Sequence, residues 1–187
     1  MSLADRSGLT AADFIALADH LPEGERHELV AGELVAMAPE RARHALVKLD
    51  CALALREAVR KAGSGCTVFG DGMSVIVSED TVYEPDVLVQ CDAPIDLEST
   101  VVERPVILIE VLSPSTRGID TGRKLAGYFR LESVMHYLVV DPDSRVVVHH
   151  RRAGERIDTV ICGEGSLRLD SPGLEVAIAD LFVSLPK

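Results

Sequence analysis

Nowhere in its 187 residues does this sequence contain an apolar run of the ~18 to 20 residues that a membrane span requires. Its first residues, MSLADRSGLTAADF, also lack the charged and then apolar order of a secretory signal peptide, so a cytoplasmic protein is expected. The four cysteines, Cys51, Cys66, Cys91 and Cys162, form no C-x-x-C spacing; that removes the common zinc and redox-pair signatures and predicts reduced, mostly buried thiols. A glycine-rich phosphate loop is missing too, because GSGCTVFGDG at 63 to 72 lacks the Lys-Ser/Thr ending and reads as a pair of turns. With no internal repeat, low-complexity tract or linker, residues 1–187 are expected to form a single domain.

Positive charge is scarce: 19 Lys and Arg face 30 Asp and Glu, for a net charge of -11. Taken alone, that balance argues against a nucleic-acid partner, since duplex binding replaces condensed counterions with protein cations. The distribution qualifies it. Residues 71 to 110 hold ten acidic side chains against Arg104 alone, whereas 117 to 130 carry Arg117, Arg123, Lys124 and Arg130 against Asp120. The stretch 145 to 156 adds Arg145, Arg151, Arg152 and Arg156 against Glu155, so a local phosphate-binding surface remains open.

Hydrophobic residues make up 47% of the chain, as in an ordinary globular protein. Thr10-Ala-Ala-Asp13 resembles a capping box and predicts a short helix over about 11 to 19. RHELVAGELVAM reads as a hairpin about Ala31-Gly32. Ala42, Leu46, Leu49 and Leu53 keep helical spacing, and Gly63 supplies a stop, giving one long helix over about 41 to 62. Strands are predicted over 66 to 70, 73 to 78, 83 to 91 and 106 to 112, then a helix over about 117 to 131 capped by Ser115 or Thr116. HYLVVDP and RVVVHHRR form a further hairpin, with more strand around 157 to 162, 166 to 169 and 174 to 178. The order implies a mixed α/β fold, a central mixed sheet flanked by helices, with an N-terminal helix and hairpin.

One position in that scheme is out of place. VILIEVLSPST, residues 106 to 116, sets Glu110 inside a run that reads as a strand covered on both faces. An unpaired carboxylate there costs several kcal/mol, so Glu110 needs a partner. Pro85-Asp86 heads a second apolar strand; if the two strands are sheet neighbours, Asp86 and Glu110 face each other and want a cation between them. A hard divalent ion, Mg2+ or Mn2+, suits carboxylate oxygens and keeps water ligands open for phosphate. Lys124 is one of only four lysines, and Asp120, Lys124 and Tyr128 share one helix face by their spacing of four.

HELVAGELVAMAPERARH, YEPDVLVQ, IEVLSPSTRGIDTGRKLAGYF and HYLVVDP together resemble the Uma-type restriction endonuclease family, a branch of the PD-(D/E)XK nuclease superfamily. The resemblance covers about residues 10 to 150 and implies a restriction-endonuclease-like core. It implies that Asp86 and Glu110 bind Mg2+ (or Mn2+), that Glu33 is the upstream metal-binding Glu, and that Lys124 assists. The E-x-K lysine position holds Leu112, so Lys124 stands for a lysine moved to the following helix. His44 falls where the family tends to keep a His, and Asp120 and Tyr128 are secondary candidates. The implied activity is metal-dependent hydrolysis of phosphodiester bonds in DNA by a homodimer; the rival reading is a catalytically silent relative that binds nucleic acid or protein.

Overall fold

The computed structural model describes residues 8–18, 20, 25–91, 94–113 and 120–186, without the side chains of Asp120 and Thr121. The first helix, α1 (Ala11–Ala18), starts where Thr10 and Asp13 bond reciprocally, Thr10 N–H to Asp13 Oδ2 at 3.0 Å and Asp13 N–H to Thr10 Oγ1 at 3.2 Å. Next come β1 (His27–Val30) and β2 (Glu33–Ala36), joined by Ala31 and Gly32 at φ 51° and 79°, the left-handed pair a tight hairpin requires. The long helix α2 (Ala42–Ala62) ends on Gly63 at φ 59°, whose N–H bonds the carbonyl of Arg60.

Two short sheets flank a larger one. After β3 (Cys66–Phe69) and β4 (Val75–Ser78), the predicted strand 83 to 91 is cut in two. β5 (Thr81–Tyr83) joins β1, β2 and β4 in a four-stranded sheet, and β6 (Val87–Cys91) enters the six-stranded one. Pro85, which has no N–H for a ladder, lies at the break. β7 (Pro105–Val111) follows, then α3 (Asp120–Tyr128), β8 (His136–Asp141), β9 (Val146–Ala153) and β10 (Arg156–Cys162). β11 (Ser166–Leu169) and β12 (Leu174–Ala177) pair apart, and a 3-10 helix, Ile178–Phe182, that has no sequence expectation behind it, packs on α2. The fold is thus mixed, with a central sheet ordered β10-β9-β8-β7-β6-β3 in which β7 and β8 run parallel and the other pairs antiparallel. The residues proposed to cap α3, Ser115 and Thr116, lie outside the described residues.

β7 is buried from both sides, as its composition requires. Ile107, Ile109 and Val111 pack with Val47, Cys51 and Leu55 of α2, while Leu108 packs with Tyr128 of α3 and Tyr137 of β8. α2 turns Val47, Lys48, Asp50, Cys51, Leu55 and Ala58 inward. Leu46, Leu49 and Leu53, which set its period in the sequence, stay 41%, 54% and 54% exposed. Gly127 lets α3 approach closely, since a Cβ there would come 2.9 Å from the Tyr83 ring.

The expectation of four reduced cysteines is corrected. Cys66 and Cys91 are directly opposed on β3 and β6 and form a disulfide, leaving Cys51 and Cys162 free. Facing antiparallel positions bring sulfurs into reach without any local sequence motif. Among the described residues, no helix is long and apolar enough to cross a membrane.

Candidate functional site

β6 and β7 are neighbours, and their register pairs Val87 with Ile109, so one step further sets Asp86 opposite Glu110. Asp86 Oδ2 accepts the Val111 N–H at 2.7 Å, which fixes the carboxylate at the mouth of the strand pair. The Glu110 side chain keeps 14% exposure, and its Oε1 accepts two bonds, from Tyr128 Oη at 2.6 Å and from Lys124 Nζ at 3.0 Å. Both donors lie on α3 four residues apart, the one-face spacing seen in the sequence. Lys124 also bonds Glu28 Oε1 at 2.8 Å, and that same oxygen accepts the Glu84 N–H at 2.9 Å. Glu110 is therefore partnered by a lysine and a phenol, and the ammonium bridges two carboxylates.

A second buried lysine serves Asp86. Lys48 Nζ of α2 lies 3.4 Å from Asp86 Oδ1 and 2.8 Å from Asp71 Oδ2, and it also bonds Glu40. Asp71 is held in turn by both terminal nitrogens of Arg26, at 2.5 and 2.6 Å, and Arg26 reaches Glu84 at 2.7 Å. Among the described residues, one continuous network joins the carboxylates of Glu28, Glu40, Asp71, Glu84, Asp86 and Glu110 to the cations of Arg26, Lys48 and Lys124.

Burial and the crowding of these carboxylates show in the protonation of the site. Burial pushes the Glu110 carboxyl up to about 8, with the fields of Asp86 and Glu28 adding to the rise and Lys124 and Tyr128 opposing it. Burial likewise raises Asp86, against the pull of His44, the Val111 N–H and both lysines. The Tyr128 hydroxyl is held far above the ordinary phenol value by burial and by Glu110, so it stays a donor. Burial works to lower the Lys48 ammonium, but its bonds to Asp71 and Glu40 prevail and raise it.

His44 completes the α2 side. Its Nε2 lies 2.7 Å from the Val111 carbonyl, which can only accept, so the proton sits on Nε2. Nδ1 is buried without a hydrogen-bond partner and lies 3.5 Å from Glu40 Oε1. Glu40, His44 and Asp86 offer one donor atom each, all within 4.8 Å of one another, a set of two oxygens and an imidazole that could hold a metal ion.

The structure thus brings together Asp86, Glu110, Lys124, Tyr128 and His44. Glu33 stands apart, exposed at the start of β2 opposite Val30, and the acidic side chain that reaches the cluster from this hairpin is Glu28. Asp120 begins α3, with its side chain outside the described residues. Sequence reasoning missed Glu28, Glu40, Lys48 and Asp71. A signal existed for two of them: Glu40, just ahead of α2, is spaced by four from His44 and Lys48, which share one face of that helix. The basic stretch 145 to 156 is used internally. Arg152 bonds the carbonyls of Val134, Phe129 and Leu131, and Arg151 pairs with Asp158 and Asp170.

A model of the Uma2 family, described as "Putative restriction endonuclease", matches residues 11–181. An uncharacterised protein of Synechocystis sp. is 28% identical over 165 residues, covering 86% of this chain and 85% of that one. A crystal structure of a "putative nuclease belonging to DUF820" from Anabaena variabilis superposes with a TM-score of 0.71 at 19% identity, over 94% of this chain and 98% of the other.

Proposed function

We propose, from the premise that this chain belongs to the Uma2 restriction endonuclease family, that it is a metal-dependent endonuclease hydrolysing phosphodiester bonds in DNA. The observation that carries the reading is the crowding of carboxylates around Asp86 and Glu110, where Glu40, His44 and Asp86 offer donor atoms within 4.8 Å of one another. A bound Mg2+ or Mn2+ would lower the pKa of a water and offset charge on the phosphate. Asp86 and Glu110 would hold that ion, with Glu28 in the place the sequence suggested for Glu33, and Glu40 and His44 on the far side of Asp86.

The chain's own groups prepare the site in distinct ways. The Val111 N–H and the Tyr128 hydroxyl orient the two ligand carboxylates, so neither has to find its rotamer when the ion binds. Lys124, set between Glu28 and Glu110, provides positive charge where a phosphorane oxygen would develop its negative charge. Cytoplasmic location and a two-fold homodimer suited to cutting both strands of a duplex belong to the same proposal. One observation favours a catalytically silent binding module instead: each candidate ligand carboxylate already has a lysine beside it.

Cleavage assays decide between the two. Duplex and single-stranded DNA are incubated with the protein and Mg2+ or Mn2+, alongside Asp86→Asn and Glu110→Gln. Metal-dependent cutting that both substitutions abolish is the expected result; cutting that persists in both, or none on any substrate, overturns the nuclease reading.

A further inference from the structure

Two lysines enter the site, and only Lys124 has a place in the proposed reaction. Lys48 comes from the opposite layer. Its Nζ contacts Glu40 Oε1 and Asp86 Oδ1, which belong to two of the three residues offering metal-donor atoms on that side, and its third contact, Asp71 Oδ2, belongs to none of them. The side chain is only 9% exposed, so water cannot replace these contacts cheaply. An ammonium beside these carboxylates repels a divalent ion and competes with it for their oxygens.

Asp71 offers the ammonium somewhere to go. It already lies 2.8 Å from Lys48 and is fixed by the Arg26 guanidinium at 2.5 and 2.6 Å, so a small movement of a flexible lysine exchanges Glu40 and Asp86 for Asp71 alone. His44 adds an independent observation: its buried Nδ1, without a hydrogen-bond partner, lies 3.5 Å from Glu40 Oε1. The arrangement leaves one donor of the set unsatisfied while the lysine holds the other two.

We infer that Lys48 is a built-in competitor for the metal: its ammonium occupies the Glu40–His44–Asp86 side of the site, and an ion binds as that ammonium withdraws to Asp71. This rests on the metal-site reading above and gives Lys48 a positioning role. Lys48 holds the carboxylates in place and hydrogen-bonded without an ion, at the cost of weaker ion binding. It therefore sets the metal concentration at which the site loads.

Calorimetric titration of Mn2+ into the full chain tests this, with wild type, Lys48→Met and Lys48→Arg compared and folding checked by circular dichroism. Removing a charge ~3.5 Å from ligand oxygens predicts Mn2+ binding tighter by about tenfold or more in Lys48→Met. Lys48→Arg, which keeps the charge, should stay within about threefold of wild type, whereas a role in packing alone would move both variants together. Lys48→Gln carries the same expectation as Lys48→Met if the methionine does not fold. Equal or weaker binding in the uncharged variant overturns the inference, and so does the absence of Mn2+ binding in it. The nuclease reading fails separately, through cleavage: the expected order of affinities without any DNA cutting would leave Lys48 as a competitor at a site that is not catalytic.

Discussion

Replacing Glu110 by Gln should make the metal-free protein more stable at neutral and alkaline pH while removing a proposed metal ligand. Burial holds the Glu110 carboxyl at about 8, whereas an unfolded glutamate releases its proton near 4.5. Between those values the folded state keeps a proton that the unfolded state has lost, so stability falls as pH rises through this window and levels off above it. The difference amounts to roughly 3 kcal/mol by pH 7 and between 4 and 5 kcal/mol above pH 8, at about 1.4 kcal/mol for each tenfold change. Gln fits the same space and its carbonyl can still accept the Tyr128 hydroxyl, now 2.6 Å from Glu110 Oε1, but it has no proton to lose. The assay is urea unfolding in EDTA at pH 5, 7 and 9, taken as the difference between variant and wild type. That difference should be near zero at pH 5 and grow to several kcal/mol at pH 9. Parallel pH profiles for the two proteins would refute the claim that Glu110 is a buried, charge-crowded carboxyl.

Other perturbations address the surrounding structure. His136 and His149 touch at 2.9 Å and burial pushes both to about 4; the unfolded chain binds protons below ~6.5, so stability should drop by up to about 3 kcal/mol per histidine as pH falls from 6.5 to 4. Subtracting a His136→Gln/His149→Gln protein isolates the effect in unfolding experiments, and a difference that does not vary with pH would count against it. Gly127→Ala should destabilise by about 1 to 3 kcal/mol despite the better helix propensity of alanine, because the new methyl meets the buried Tyr83 ring; a rise in Tm would show that α3 is not so closely seated. Tyr128→Phe removes a bond to the proposed ligand Glu110, and DNA cleavage should slow by about tenfold with folding retained; an unchanged rate would mean that the hydroxyl does not orient the carboxylate.

Much of the central sheet was legible because β7 carries its own instructions: Pro105 opens it, apolar residues fill both faces and the single carboxylate interrupts them. Asp86 opposite Glu110 followed once the two strands were taken as neighbours. The upstream glutamate was a different matter. HELVAGEL holds Glu28 and Glu33 in one hairpin, and which of them is covered depends on how the four-stranded sheet meets α3, a tertiary fact no local pattern contains. The predicted strand 83 to 91 runs past a break at Glu84-Pro85-Asp86, where the chain leaves the four-stranded sheet for the six-stranded one. Lys48 escaped notice since a charged helix face normally reads as solvated; on α2 the exposed face is the leucine one. The disulfide had no local signature at all, because its cysteines are 25 residues apart and meet through strand pairing.

Whether Asp86 and Glu110 together hold a divalent ion is read most directly by Mn2+ titration of the wild type against Asp86→Asn and Glu110→Gln, followed by calorimetry. Saturable binding in the wild type that falls by at least about tenfold in each variant is the predicted result. Equal Mn2+ affinity in all three proteins would contradict it, and the lysine-bridged carboxylates would then be a structural ion-pair network.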